Sequence, residues 1–143
     1  AFPELDLEDV NGKIRSLSEF KDKVVLLDFW FTGCGHCEVF YKTTLSKVEA
    51  SLGLHSDIAF ISVSLDQEKI KWKKSIDKGT YTSPNAINVY TKGLGFKHPV
   101  VTLNNIVGCP TVILLNKMGK IQYFNTSNLY QEQTLVEAIK ELQ

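Results

Sequence analysis

Cys34 and Cys37 enclose Gly35 and His36, and this Cys-Gly-His-Cys run is the strongest chemical signal in the chain. Two thiols at that spacing can close a redox-active disulfide or supply half of a tetrahedral metal site. Zinc generally takes four ligands, and no second ligand pair follows: Cys109, His36, His55 and His98 are scattered singles. A thiol attacks a disulfide only as the thiolate, which a helix N-terminus favours through its open N–H groups and its dipole. Cys34 at such a terminus is the expected nucleophile. Cys37, one turn further in and shielded, is the expected resolving thiol. The reading calls for no metal and no dissociable cofactor, since the Cys34–Cys37 disulfide is itself the working group.

Further positions join this centre. His36, between the cysteines, can stabilise the thiolate and so tune the disulfide. Asp28 interrupts an apolar run six residues before Cys34. A buried carboxylate there would carry a raised pKa and could accept the Cys37 proton as a general base. Gly108-Cys109-Pro110-Thr111 precedes an apolar segment, where proline is tolerated at a strand start and the preceding bond can be cis or trans. Trp30 and Trp72 have the spacing of core aromatics. Trp30 nevertheless joins Gly108 and Cys109 as a candidate for contact with substrate. His55 and His98 read as surface histidines without a role.

The elements that must position these residues are visible in the apolar pattern. Val24 to Phe31 lacks alternation, as in a strand covered on both faces, and Gly33 breaks it. Tyr41, Leu45, Val48 and Leu52 form one helical stripe ending near Gly53, so the dithiol sits where a strand hands over to a helix. Ile58 to Leu65 predicts a second buried strand and Gln67 to Lys78 a helix. Asn11-Gly12-Lys13 predicts an N-terminal hairpin between Glu4 to Leu7 and Ile14 to Leu17, at a sheet edge. Gly79 to Asn105, with Pro84, Gly93, Gly95 and Pro99, reads as irregular. Thr111 to Leu115 and Ile121 to Phe124 flank a hairpin turn, and Leu135, Val136, Ile139 and Leu142 mark a terminal helix. The pattern implies an α/β fold, with a central mixed sheet flanked by helices and its site beyond the strand carboxyl ends.

The 143 residues suit one domain spanning 1–143, with 43% hydrophobic and 22% charged residues as in globular proteins. Lys+Arg 16 against Asp+Glu 16 leaves no basic surface for nucleic acid. No apolar run approaches the roughly 20 residues that span a bilayer. The opening Ala1-Phe2-Pro3-Glu4-Leu5 has no signal-like stretch, so an export signal is expected to be removed or absent.

Taken in order, these motifs resemble the thioredoxin superfamily, and within it the TlpA/ResA-like thiol-disulfide oxidoreductases of bacterial envelopes. Asp9-Val10-Asn11-Gly12-Lys13, Ser16 to Phe20 and Val24 to Trp30 resemble that family's N-terminal extension and first core strand, and Cys34 to Cys37 its active site. Ser62 to Asp66 followed by Trp72 resembles the surroundings of its central insertion. Gly108-Cys109-Pro110-Thr111 resembles its cis-proline loop, and Lys117 to Ile121 the hairpin behind it. The resemblance implies a thioredoxin-like fold, Asp28 as the buried acid, and Pro110 as a cis-proline facing the dithiol. It further implies protein thiols or disulfides as partners, a membrane electron donor, and an extracytoplasmic location with a possible membrane anchor; the oligomeric state is left open, with a monomer as the favoured expectation.

Three departures stand out: Gly33 where many members carry tryptophan, His36 where thioredoxin carries proline, and Cys109 before the cis-proline. The Gly-His pair resembles protein disulfide isomerase, so reductant and oxidant or isomerase remain alternative directions. The N-terminal region also resembles peroxiredoxins, but Phe31 stands where their site requires threonine. A metal or copper delivery module using Cys34, Cys37 and Cys109 is the alternative from another class.

Overall fold

In a computed structural model, residues 2–53 and 55–143 are described; Ala1, part of the opening read above, and Leu54 lie outside them. The expected hairpin forms from β1 (Leu7–Asp9) and β2 (Ile14–Arg15), paired antiparallel. Its first strand begins later than expected because Asp9 closes the turn. The Asp9 carboxylate accepts from the backbone N–H of Asn11 at 2.9 Å and of Lys13 at 3.0 Å, an Asx-type arrangement.

The remaining strands are β3 (Val24–Trp30), β4 (Ile58–Ser64), β5 (Ile87–Tyr90), β6 (Thr111–Leu115) and β7 (Ile121–Phe124). They form one mixed sheet in the order β2-β1-β5-β4-β3-β6-β7. β3, β4 and β5 run parallel, while β6 pairs antiparallel with β3. The helices are α1 (Gly35–Phe40), α2 (Ser46–Leu52), α3 (Lys69–Lys78), α4 (Pro99–Thr102) and α5 (Glu132–Leu142). A π-helical turn, Tyr41–Leu45, joins α1 to α2.

β3 is buried along its whole length because it sits inside the sheet with helices over both faces. Its residues divide by pleat. Leu27 and Phe29 pack with Ile61, Val63, Ile113 and the α4 residues Val100 and Val101. Val24 and Leu26 pack with Phe60, Val112 and Leu114 under Val48 and Leu52 of α2 and Leu135 and Ile139 of α5. Each fully buried leucine contributes about 2 kcal/mol of transfer free energy to this sandwich.

The segment from Gly79 to Asn105 is more ordered than its composition suggests, since it contains β5 and α4. His98, expected at the surface, is fully buried. Its Nδ1 accepts from Val100 N–H at 3.0 Å to cap α4, and its Nε2 lies 2.8 Å from the carbonyl of Asp6. It joins the N-terminal segment to the insertion, which are 92 residues apart. His55 is exposed. No helix of the described residues is long and apolar enough to cross a membrane.

Candidate active site

The sequence places a left-handed residue where β3 ends, and Gly33 meets this with φ +98°. A side chain there would cost about 1–2 kcal/mol of backbone strain. The turn is tied down on both sides. Thr32 donates from its N–H and its hydroxyl to the Asp66 carboxylate at 2.8 and 2.6 Å, and Gly33 N–H donates to the Tyr81 hydroxyl at 2.8 Å. The chain then enters α1 with Cys34 as its N-cap.

Cys34 and Cys37 form a disulfide, with Cα atoms 5.3 Å apart. Cys37 N–H also donates to Cys34 Sγ at 3.2 Å, so this sulfur caps the helix. The shielding is stronger than expected: Cys34 is only 6% exposed and Cys37 2%. The pair packs with Trp30, Trp72, Tyr81 and Tyr90, and Cys109 joins this cluster at its edge. Gly35 and His36 are exposed in the first turn of α1.

Trp30 does not reach solvent. It is fully buried, stacks on Tyr81 with ring centroids 4.8 Å apart, and donates from Nε1 to Ser62 Oγ at 2.6 Å. Its place among substrate-contacting candidates is therefore corrected: it supports the disulfide from beneath, because its strand position points it into the sheet's covered face. Gly108, Cys109 and Pro110 remain half-buried at the surface, next to the exposed Val107.

The Cys109–Pro110 peptide bond is cis, which decides between the two isomers left open above. The Thr111 hydroxyl donates to the Gly108 carbonyl at 2.8 Å and closes this loop. Tyr130 donates to the Pro110 carbonyl at 3.3 Å and also bonds Asn125, whose side chain accepts from Val112 N–H at 3.1 Å. Burial first, and the Asp28 charge second, push the Cys109 thiol up to about 12, so it stays protonated at neutral pH. The same two causes, with Cys109, raise the Tyr130 phenol.

Asp28 is 3% exposed and stands mid-strand in β3, so an edge position with a solvated carboxylate does not apply. Its Oδ1 has no hydrogen-bond partner. Burial raises its pKa well above the ordinary carboxylate range, and the Glu49 charge adds to this. Among the described residues no three His, Cys, Asp or Glu side chains group so as to hold a metal ion.

Glu49 was not anticipated. It follows Val48 on α2 and in sequence resembles any solvated glutamate, yet its carboxylate turns toward Ser83, whose hydroxyl donates to it at 3.2 Å. Burial lifts it to about 7, with the Ser83 bond opposing.

With this geometry in view, residues 22–121 match the family model described as thioredoxin-like. The chain belongs to the thioredoxin-like family. Thioredoxin-like relatives include the thiol-disulfide oxidoreductase ResA of Halalkalibacterium halodurans, 28% identical over 138 residues, covering 95% of this chain and 71% of that one. ResA of Bacillus subtilis is 30% identical over 129 residues, covering 83% of this chain and 62% of that one. Among solved structures, a thiol-disulfide oxidoreductase from Bacteroides fragilis superposes with TM-score 0.83 at 25% identity, over 100% of this chain and 99% of that one. This thioredoxin-like architecture includes both expected additions to the sheet, the hairpin on β5 and the segment between β4 and β6.

Proposed function

We propose that this chain is a thiol-disulfide oxidoreductase that exchanges disulfides with protein substrates outside the cytoplasm, through Cys34 and Cys37. The observation that carries this reading is a disulfide at a helix start, packed beside the Cys109 of a cis-proline loop and preceded by a strand that holds a buried acid.

In the reducing direction, the Cys34 thiolate attacks a substrate disulfide, and one substrate sulfur leaves as thiolate. The other substrate sulfur is then held in a mixed disulfide with Cys34. Cys37 gives its proton to Asp28, and the resulting thiolate attacks Cys34 Sγ. The Cys34–substrate bond breaks, the second substrate thiolate departs, and the Cys34–Cys37 disulfide forms. Two electrons from a dithiol donor, which we assign to the membrane, restore the reduced pair. In this scheme Gly108, Cys109 and Pro110 border the substrate chain, His36 tunes the thiolate, and no dissociable cofactor takes part. The chain acts as a monomer.

The test is reduction of a protein disulfide such as insulin by purified protein supplied with a small dithiol. Turnover that disappears in Cys34→Ser supports the reading. Wild-type protein at the uncatalysed rate overturns it.

A further inference from the structure

Asp28 lacks an evident way to exchange protons with water. Asp28 is itself buried, and its neighbours on the same strand face, Leu26 and Trp30, belong to the apolar cluster under α2 and α5 and to the aromatic cluster around the dithiol. Across the sheet, however, runs a row of polar side chains on the same face. Asp28 is the register partner of Ser62 on β4, and Ser62 is the register partner of Asn88 on β5. All three are buried. Asn88 Nδ2 donates to the Ser83 carbonyl at 2.9 Å, and the Ser83 hydroxyl donates to Glu49 at 3.2 Å. Glu49 lines an open cavity of about 640 Å³ together with Tyr41, Ser83, Ile58 and Phe60. Glu49 thus stands between this buried polar row and solvent.

We propose that Glu49 is a proton-transfer residue for the dithiol cycle, taking from Asp28 the proton released by Cys37 and passing it to water through the cavity beside α2. This rests on the Asp28 role proposed above. The balance is simple. Cys37 loses a proton to the Asp28 carboxylate, the neutral Asp28 hands it to the Glu49 carboxylate, and Glu49 releases it to solvent. Asp28 is then ionised again before the next cycle. No electrons move in this relay.

The groups facing Glu49 suit the task. Asp28 approaches from β3, Tyr41 from the π turn, and Lys23 from the segment before β3. Lys23 lines the cavity, and no ion pair joins it to Glu49 among the described residues. Glu49 is consequently not locked into its charged form, and with a pKa of about 7 it both takes and releases protons at neutral pH.

The experiment follows decay of the Cys34 mixed disulfide by rapid quench between pH 6 and 9 in wild type, Asp28→Asn, Glu49→Gln and Glu49→Ala. In the wild type the rate is expected to rise through pH 7 as Glu49 ionises. Glu49→Gln flattens that rise and slows decay about tenfold at pH 7.5. In Glu49→Ala the vacated cavity admits formate, which restores the rate saturably, whereas chloride at equal ionic strength does not. A merely structural glutamate would alter unfolding but give neither the flattened profile nor the rescue. A wild-type profile in Glu49→Gln, with Asp28→Asn slow, overturns the relay and leaves the Asp28 role standing. Asp28→Asn at the wild-type rate overturns both.

Discussion

The backbone N–H of Cys37 donates to Sγ of Cys34 at 3.2 Å, so one cysteine's main chain supports the other's sulfur. The relationship is unequal. Cys34 sits at the cap, where open N–H groups stabilise negative charge, while Cys37 lies within the turn and is the more buried of the two.

That asymmetry predicts which variant captures partners. Cys37→Ser should accumulate mixed disulfides through Cys34, because the thiolate that would release them is gone. Non-reducing gels with peptide mapping check this, and equal capture by Cys34→Ser would reverse the assignment.

His36 is exposed in the ring between the sulfurs. If His36 stabilises the reduced form as proposed, replacing it by proline removes that imidazole, and His36→Pro should make the disulfide harder to reduce. Equilibration against glutathione resolves the shift, with about 30 mV corresponding to about 1.4 kcal/mol. An unchanged or more oxidising potential would remove the tuning role.

Asp28→Asn separates chemistry from stability. The amide keeps the volume but accepts no proton, so release of the mixed disulfide should slow. Stability should move the other way. Since burial raises the Asp28 pKa, the folded chain holds a proton that the unfolded chain has already lost above the ordinary carboxylate range. Folding stability therefore falls as pH climbs through that window. The variant should be more stable than wild type at neutral pH, with the difference fading as pH falls below the ordinary carboxylate range. Urea unfolding at both pH values checks the sign.

With its thiol pushed up to about 12, Cys109 presents at pH 8 a thiolate fraction about a thousandfold below that of an ordinary cysteine. Alkylation of the reduced protein should therefore label Cys34 well before Cys109. Cys109→Ala should keep turnover within about twofold of wild type, since the two-cysteine cycle closes without it. A Cys34–Cys109 linkage as the main oxidised species would contradict this.

The legible parts of the molecule were those whose signal is local. β3 and β4 are continuous apolar runs, and Gly33 and the cysteines mark the strand-to-helix turn directly. β5 was hidden because four residues carrying a polar Asn88 look like loop, and only pairing with β4 makes them a strand. His98 carries no local sign of burial, because its second partner lies in the N-terminal segment. Core spacing alone does not tell whether Trp30 also meets substrate, because alternation is invisible in a strand buried on both faces. Glu49 gave no local signal, since Ser83 reaches it from 34 residues away.

The π turn at Tyr41–Leu45 works as a phase adjuster between two halves of one helix. An α-helix advances about 100° per residue, so the extra residue such a turn accommodates rotates everything after it relative to everything before. The half carrying Cys37 and Phe40 is thereby set independently of the half carrying Val48, Glu49 and Leu52. Deleting one residue within the turn would leave the sulfurs on their cap while swinging Glu49 off Ser83 and moving Val48 out of its contacts. In this fold, the angle between redox centre and proton outlet is written into the length of a single five-residue segment.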